Sequence, residues 1–219
     1  MSSGEAGVER GMSAQLDLLR ETLAAGETRG GWKVGLNVPA VQEHLGIERP
    51  VVGHLTSATR LASGEAVPIG GFTRAGLEPE IAATIGDDGA IATVAPAIEI
   101  VDIDLPFDDV EPIVAANVFH RGWLTGPNRS PDEVDVEQVT VAVMRGATVE
   151  HEAQVGDAMG DIDSVVAGVA ARAEQAGESL RPGDVVICGS LTPIVPVSPG
   201  DDVEVRFGAL GTLQLAFCE

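Results

Sequence analysis

Residues 77 to 105 hold two apolar runs, LEPEIAATI and AIATVAPAIEIVDIDL, separated only by the turn residues GDDG. Runs of this kind on either side of such a turn predict β-strands. Further β-rich runs follow: VAANVFHRGWL, VTVAVMRG, DVVICGSLT, DVEVRFG and TLQLAF. One strong helix, SVVAGVAARAEQAG, lies among them and ends at Gly177. Upstream, Met12, Leu16, Leu19 and Leu23 at helical spacing predict an amphipathic helix over residues 9 to 25, closed by Gly26. A short strand in GGWKVGL and a helix from Pro39 to Gly46 follow. Residues 127 to 138 form a polar loop, and no repeat or linker divides the chain. The expectation is one mixed α+β domain over residues 1–219, with a helical and short-strand portion (1–60) packed on a β-rich core (61–219).

The chemistry sits in the two runs around GDDG. In LEPEI the two glutamates are two positions apart, so an extended strand points Glu78 and Glu80 to one face, where like charges repel. Either the strand lies at an exposed edge, which Pro79 permits, or a divalent cation draws the pair inward. Glu99 favours the cation, because it lies within PAIEIV, where Ala97 and Val101 share its face. A lone ionised carboxylate buried there costs on the order of several kcal/mol. Three carboxylates suit magnesium or manganese better than zinc.

Composition narrows the partners. A formal charge of −21 opposes nucleic acid and anionic membrane surfaces, and no apolar stretch reaches the roughly 18 residues of a membrane span. The opening MSSGEAGVERG lacks the basic patch and apolar core of a secretory signal, and two cysteines give no disulfide framework, so a cytoplasmic protein is expected. Of the 13 basic residues only Lys33 is a lysine. In a chain that otherwise uses arginine, this points to a site needing a compact ammonium. Among the four histidines no ligand spacing occurs, and His120 is the best placed.

The strings GWKVGLN, VQEHLGI, LEPEIA, PAIEIVD, GDVVICGSLT and PGDDVEVRFGALG, in this order, resemble the 2-oxopent-4-enoate hydratase and 4-oxalocrotonate decarboxylase branch of the fumarylacetoacetate hydrolase superfamily. The resemblance runs from about Gly31 to Phe217. It implies a mixed β-roll or sandwich of the fumarylacetoacetate hydrolase C-terminal type with a small N-terminal helical region. It also implies Mg2+ or Mn2+ held by Glu78, Glu80 and Glu99, with Lys33 acting beside a small 2-oxo or enol carboxylate. Ser190, Leu191 and Thr192 match the family's GSLT segment near the substrate carboxylate. Asn117 falls on a polar pocket position, and Arg121 would face a second substrate carboxylate. Members commonly form homo-oligomers.

Three departures qualify the resemblance. Where hydratases carry an acidic residue after RP, this chain has Val51 and Val52; the segment between Glu80 and Glu99 is shorter than in typical members; and a GHP string reads Gly160, Asp161, Ile162. The leading expectation is a hydratase of a 2-hydroxy-2,4-dienoate. Alternatives are decarboxylation of a 2-oxo diacid, C–C hydrolysis of an acylpyruvate, and a metal-binding partner subunit without turnover.

Overall fold

A computed structural model describes residues 2–219, and the chain enters it through a helix, α1 (Ser3–Ala24), that starts six residues before the apolar spacing predicts. Ser2 caps it, its hydroxyl accepting from the Glu5 N–H at 3.1 Å. The extra turns contain glycines, which disfavour helix locally but allow close packing. A Cβ on Gly7 would stand 2.9 Å from Cγ1 of Val110. Tertiary contact therefore overrides propensity.

After α1 come β1 (Arg29–Gly35), α2 (Pro39–Leu45), β2 (Val51–Thr56) and a short β3 (Ala66–Pro68). The two apolar runs around GDDG are β4 (Ala75–Ile85) and β5 (Ile91–Asp102), which pair as an antiparallel hairpin closed where Gly86 N–H donates to the Ala90 carbonyl at 2.8 Å. Next are α3 (Val110–Ala115), β6 (His120–Thr125), β7 (Thr140–Arg145), β8 (Thr148–Gln154), α4 (Val155–Met159) and α5 (Ile162–Gln175). The chain ends with β9 (Val185–Ile187), β10 (Val195–Pro196), β11 (Asp202–Arg206) and β12 (Thr212–Cys218).

The strands form two sheets. The larger runs β2-β1-β9-β4-β5-β6 with β10 on β4, and the smaller runs β3-β12-β11-β7-β8. Residues 29–56 thus supply two strands of the larger sheet, so the N-terminal portion is woven into the β core. The outer face of the larger sheet is covered at one end by α1, α3 and α5 over Trp32, Val52 and Val186. At the other end the smaller sheet covers it, with Leu77, Ile81, Ile98 and Ile100 against Val143, Val205 and Phe207. The inner face curls on itself until β6 meets β2, where the Trp123 Nε1–H donates to the Thr56 carbonyl at 2.9 Å. Small side chains, Ala82, Ala95 and Ala97, pack on this concave face beside Trp123 and Leu55. This is the mixed α+β roll that the resemblance implies.

The run VAANVFHRGWL is not one strand, as its β-rich composition suggests. Its first residues finish α3, capped by the Asp109 carboxylate, and β6 starts only at His120. Between them Asn117, Val118 and Phe119 all adopt left-handed φ, at 60°, 54° and 65°. Among the described residues no helix is long and apolar enough to cross a membrane.

Candidate metal centre and its cavity

The β4–β5 register sets Glu78 directly opposite Glu99, and Glu80 shares their face two residues along. One carboxylate oxygen from each of the three lies within 4.8 Å of the others. Glu80 and Glu99 have no exposed surface, whereas Glu78 borders a cavity of about 550 Å³. Lys33 reaches the group from β1, its Nζ 2.7 Å from Glu99 Oε1, and it donates to the Val118 carbonyl at 2.8 Å. Opposite Lys33 on β2 stands Gly53, and a Cβ there would meet Lys33 Cε at 3.0 Å, so glycine leaves the channel that the lysine occupies.

The left-handed turn before β6 aims that carbonyl. Non-glycine residues in this region cost roughly 1–2 kcal/mol each, and three in succession persist only when held from outside. The Asn117 amide holds them by accepting from the His54 N–H at 2.8 Å and donating to the His54 carbonyl at 3.0 Å. A second clamp is the bond from Asp102 N–H to the Phe119 carbonyl at 3.0 Å.

Electrostatics separate the three carboxyls. Burial and the charge on Glu99 push Glu78 up to about 7. The same causes, with Glu78 added, raise Glu80 well above the usual carboxylate range, although the Gly189 N–H donates to its Oε2 at 2.6 Å. For Glu99 burial also opposes ionisation, but Lys33 and His120 outweigh it and hold the group below its ordinary value. Three carboxylates against one ammonium leave two negative charges, the complement of a divalent cation. Glu80 Oε1 and Glu99 Oε2 are buried without any partner. Buried oxygens of this kind are costly when unpaired, and hard oxygen donors are what Mg2+ or Mn2+ takes. The donor set fits such an ion.

The other sequence-derived candidates divide. Ser190, Leu191 and Thr192 line the cavity with Lys33 and Glu78. The Ser190 and Thr192 hydroxyls donate to the Thr192 and Pro193 carbonyls at 2.8 and 2.9 Å, so they must rotate to donate to a ligand. The Leu191 N–H is spent on the Pro79 carbonyl at 2.9 Å. Asn117 is buried behind Lys33 and does not border the cavity. Arg121 does not border it either; its guanidinium pairs with Asp104 at 2.6 Å and with the His120 carbonyl at 2.9 Å. Among the described residues bordering the cavity, Lys33 is the sole cation, and Val34, Leu36, Val101, Phe107, Phe119 and Ile194 make the walls apolar.

Two contacts escape sequence reasoning, although His120 stands out there as the best placed histidine. His120 sits against Glu99, its Nδ1 2.7 Å from Oε1, and burial holds the ring's pKa below the usual value. The Gly189 N–H on Glu80 depends on a positive φ of 103° that no side chain announces. At the departures, Val51 is fully buried in β2, while Asp161 caps α5 by accepting from the Ser164 N–H at 2.9 Å.

Known proteins resemble this chain over most of its length. A TodF product hydratase of Pseudomonas putida strain F1 is 32% identical over 99% of this chain and 86% of its own length. A 2-keto-4-pentenoate hydratase of Burkholderia vietnamiensis is 28% identical over 89% and 80%. The structure of 4-oxalocrotonate decarboxylase from Pseudomonas putida G7, solved with magnesium and adipate, superposes with a TM-score of 0.84 at 26% identity, covering 93% of this chain and 83% of that one. The family profile described as fumarylacetoacetate (FAA) hydrolase C-terminal matches residues 32–217, and the chain belongs to that family.

Proposed function

We propose that the protein is a divalent-metal-dependent hydro-lyase that hydrates a 2-hydroxy-2,4-dienoate carrying an apolar tail. The observation that carries this reading is the contrast within the cavity: Glu78, Glu80, Glu99 and Lys33 gather at one end, and the remaining walls are apolar with no second cation. Bound Mg2+ or Mn2+ would supply Lewis acidity toward the substrate carboxylate and its 2-oxygen. Lys33 sets a positive charge where enolate character develops, and its tether to the Val118 carbonyl keeps that charge in position. Ser190 and Thr192 orient the carboxylate once their hydroxyls rotate, and the apolar walls exclude water from the tail while admitting the alkene. Asn117 acts from behind, through His54 and the left-handed turn. The relatives named as hydratases support the same reading.

A second reading, decarboxylation of a 2-oxo diacid, draws on Val51 standing where hydratases have an acidic residue and on the likeness to 4-oxalocrotonate decarboxylase. It needs a partner for the second carboxylate, and Arg121 is committed to Asp104. The enzyme is taken to be a cytoplasmic homo-oligomer, in keeping with its two free cysteines and the habit of the superfamily.

The test is the loss of dienol absorbance of 2-hydroxypenta-2,4-dienoate with and without Mg2+ or Mn2+, run beside CO2 release from 4-oxalocrotonate. Metal-dependent loss of the dienol, absent in Glu99→Gln, is expected. No turnover of the dienol by metal-loaded protein overturns the hydratase reading, and CO2 release in its place installs the second.

A further inference from the structure

The two oxygens of the Glu99 carboxylate have different surroundings. Oε1 is contacted by both Lys33 Nζ and His120 Nδ1, each at 2.7 Å. Oε2 is buried with no partner. A carboxylate only accepts, so Nδ1 of His120 carries the hydrogen, and in the neutral ring Nε2 is then an acceptor. At 2.9 Å from Nε2 lies the Thr59 Oγ1, a hydroxyl able to donate to it. Thr59, His120 and Glu99 thus form one hydrogen-bonded chain from the segment after β2, through the first residue of β6, to the middle of β5.

The link to Glu99 has a single sense, and at the other end the Thr59 hydroxyl lies 2.9 Å from Nε2 against 3.4 Å from the Thr56 carbonyl, its other acceptor. Were the ring flipped, a carbon would face Glu99 and the carboxylate would lose one of the two donors that fix it. With Lys33 alone on Oε1, the group could turn about its last torsion, which is broad for a glutamate. Two donors on one oxygen remove that freedom and leave the other oxygen as the only free acceptor.

We infer that His120 is a positioning residue for the cation: its Nδ1–H, with the ring oriented by Thr59, holds Glu99 so that Oε2 is presented to the metal. This deepens the metal-dependent reading and rests on it. Partners of this kind, lying one shell beyond the ion, typically change metal affinity by about 10–100-fold when removed.

The experiment is Mn2+ binding, followed by the electron paramagnetic resonance of the free ion, to wild type and three variants. His120→Leu keeps the volume and removes the donor, and its affinity is expected to fall by roughly 10–100-fold. His120→Asn places an amide nitrogen near the position of Nδ1 and is expected to recover most of that loss. Thr59→Val leaves the imidazole but not its orienting partner and is expected to fall between the two. The thermal midpoint of each metal-free variant separates loosened packing from lost positioning, since packing alone would not be rescued by Asn. Wild-type affinity in His120→Leu overturns the inference, and so does an Asn variant as weak as Leu. Should His120→Leu not fold, Thr59→Val decides, unchanged affinity overturning the inference. Failure of wild type to bind Mn2+ would instead sink the metal site itself, a separate result.

Discussion

On one face of the β4–β5 hairpin Leu77, Ile81, Ile98 and Ile100 press against the smaller sheet, and on the other Glu78, Glu80 and Glu99 stand among alanines. The strands are the same and the burial is nearly the same. The apolar face gains from every atom removed from water, at about 25 cal/mol per Å². The acidic face loses, because its carboxyls are desolvated beside one another, and Lys33 balances only one of them. The comparison teaches that stability and function are divided by the two-residue period of one hairpin: the apolar side secures the geometry, and the acidic side holds an arrangement that becomes favourable only when a cation arrives.

The largest expected effect breaks the acidic face alone. Glu80→Gln should weaken Mn2+ binding by more than about 100-fold, beyond what loss of an outer partner causes. It should leave the metal-free protein as stable as wild type or more so, since it removes a buried repulsion. Calorimetric titration and thermal melting read the two quantities, and a large fall in metal-free stability would erase the proposed division. Next, Ile98→Ala breaks the apolar face. Truncating a fully buried isoleucine costs about 2–5 kcal/mol, seen as a lower denaturant midpoint. Mn2+ affinity of the folded fraction should stay near wild type. A comparable loss of affinity would mean that the two faces are coupled through the backbone.

Much of this division is legible in the sequence, and the reason is locality. The spacing in LEPEI is a short-range signal, so the shared face of Glu78 and Glu80 follows from it, whereas Glu99 joins them through the β4–β5 register, as the family resemblance implies. Likewise Pro39 and Gly46 bracket α2, and Gly46 does adopt left-handed φ, at 65°. What escapes depends on distant contacts. The first turns of α1 look like a glycine-rich coil until α3 is beside them. Val118 and Phe119 read as strand residues because of their side chains, yet Asn117, clamped to His54 from 63 residues away, holds them left-handed. Arg121 alternates away from His120 on β6, so the residue that approaches the carboxylates is its neighbour.

Acidity sharpens the comparison further. Glu78 has a folded-state pKa near 7 against 4.5 for an ordinary glutamate, so the folded protein holds its proton over a range in which the unfolded chain has released it. The unfolded state then binds fewer protons, and stability must fall as pH rises from about 4.5 through about 7. Glu5, lowered to about 2 by its bonds to Arg172 and paired with it at 2.6 Å, has the opposite sign, its contribution being lost as pH falls below 4.5. The two windows do not overlap. Glu80 adds to this fall, while His54 and His120, held below their ordinary values, oppose it over part of the same range, so the test is a difference: the stability of metal-free Glu78→Gln relative to wild type should rise from pH 4.5 to 7, with the acid limb unchanged. An unchanged slope in that variant would assign the effect elsewhere.

The smallest effect concerns the turn that joins the two strands. Gly89 has a φ of 82°, and a Cβ built on it would meet nothing within 4 Å, so replacement with alanine introduces backbone strain and no clash. Strain of that kind costs about 1–2 kcal/mol. The loss should appear wholly as a lower unfolding midpoint, with Mn2+ affinity unchanged, because the carboxylates lie six or more residues from the turn and their register is fixed by ladder bonds on both sides. If Gly89→Ala weakened the metal site, the register of Glu78 against Glu99 would depend on the turn and not on the neighbouring strands, and the shortened connection would be part of the site's construction.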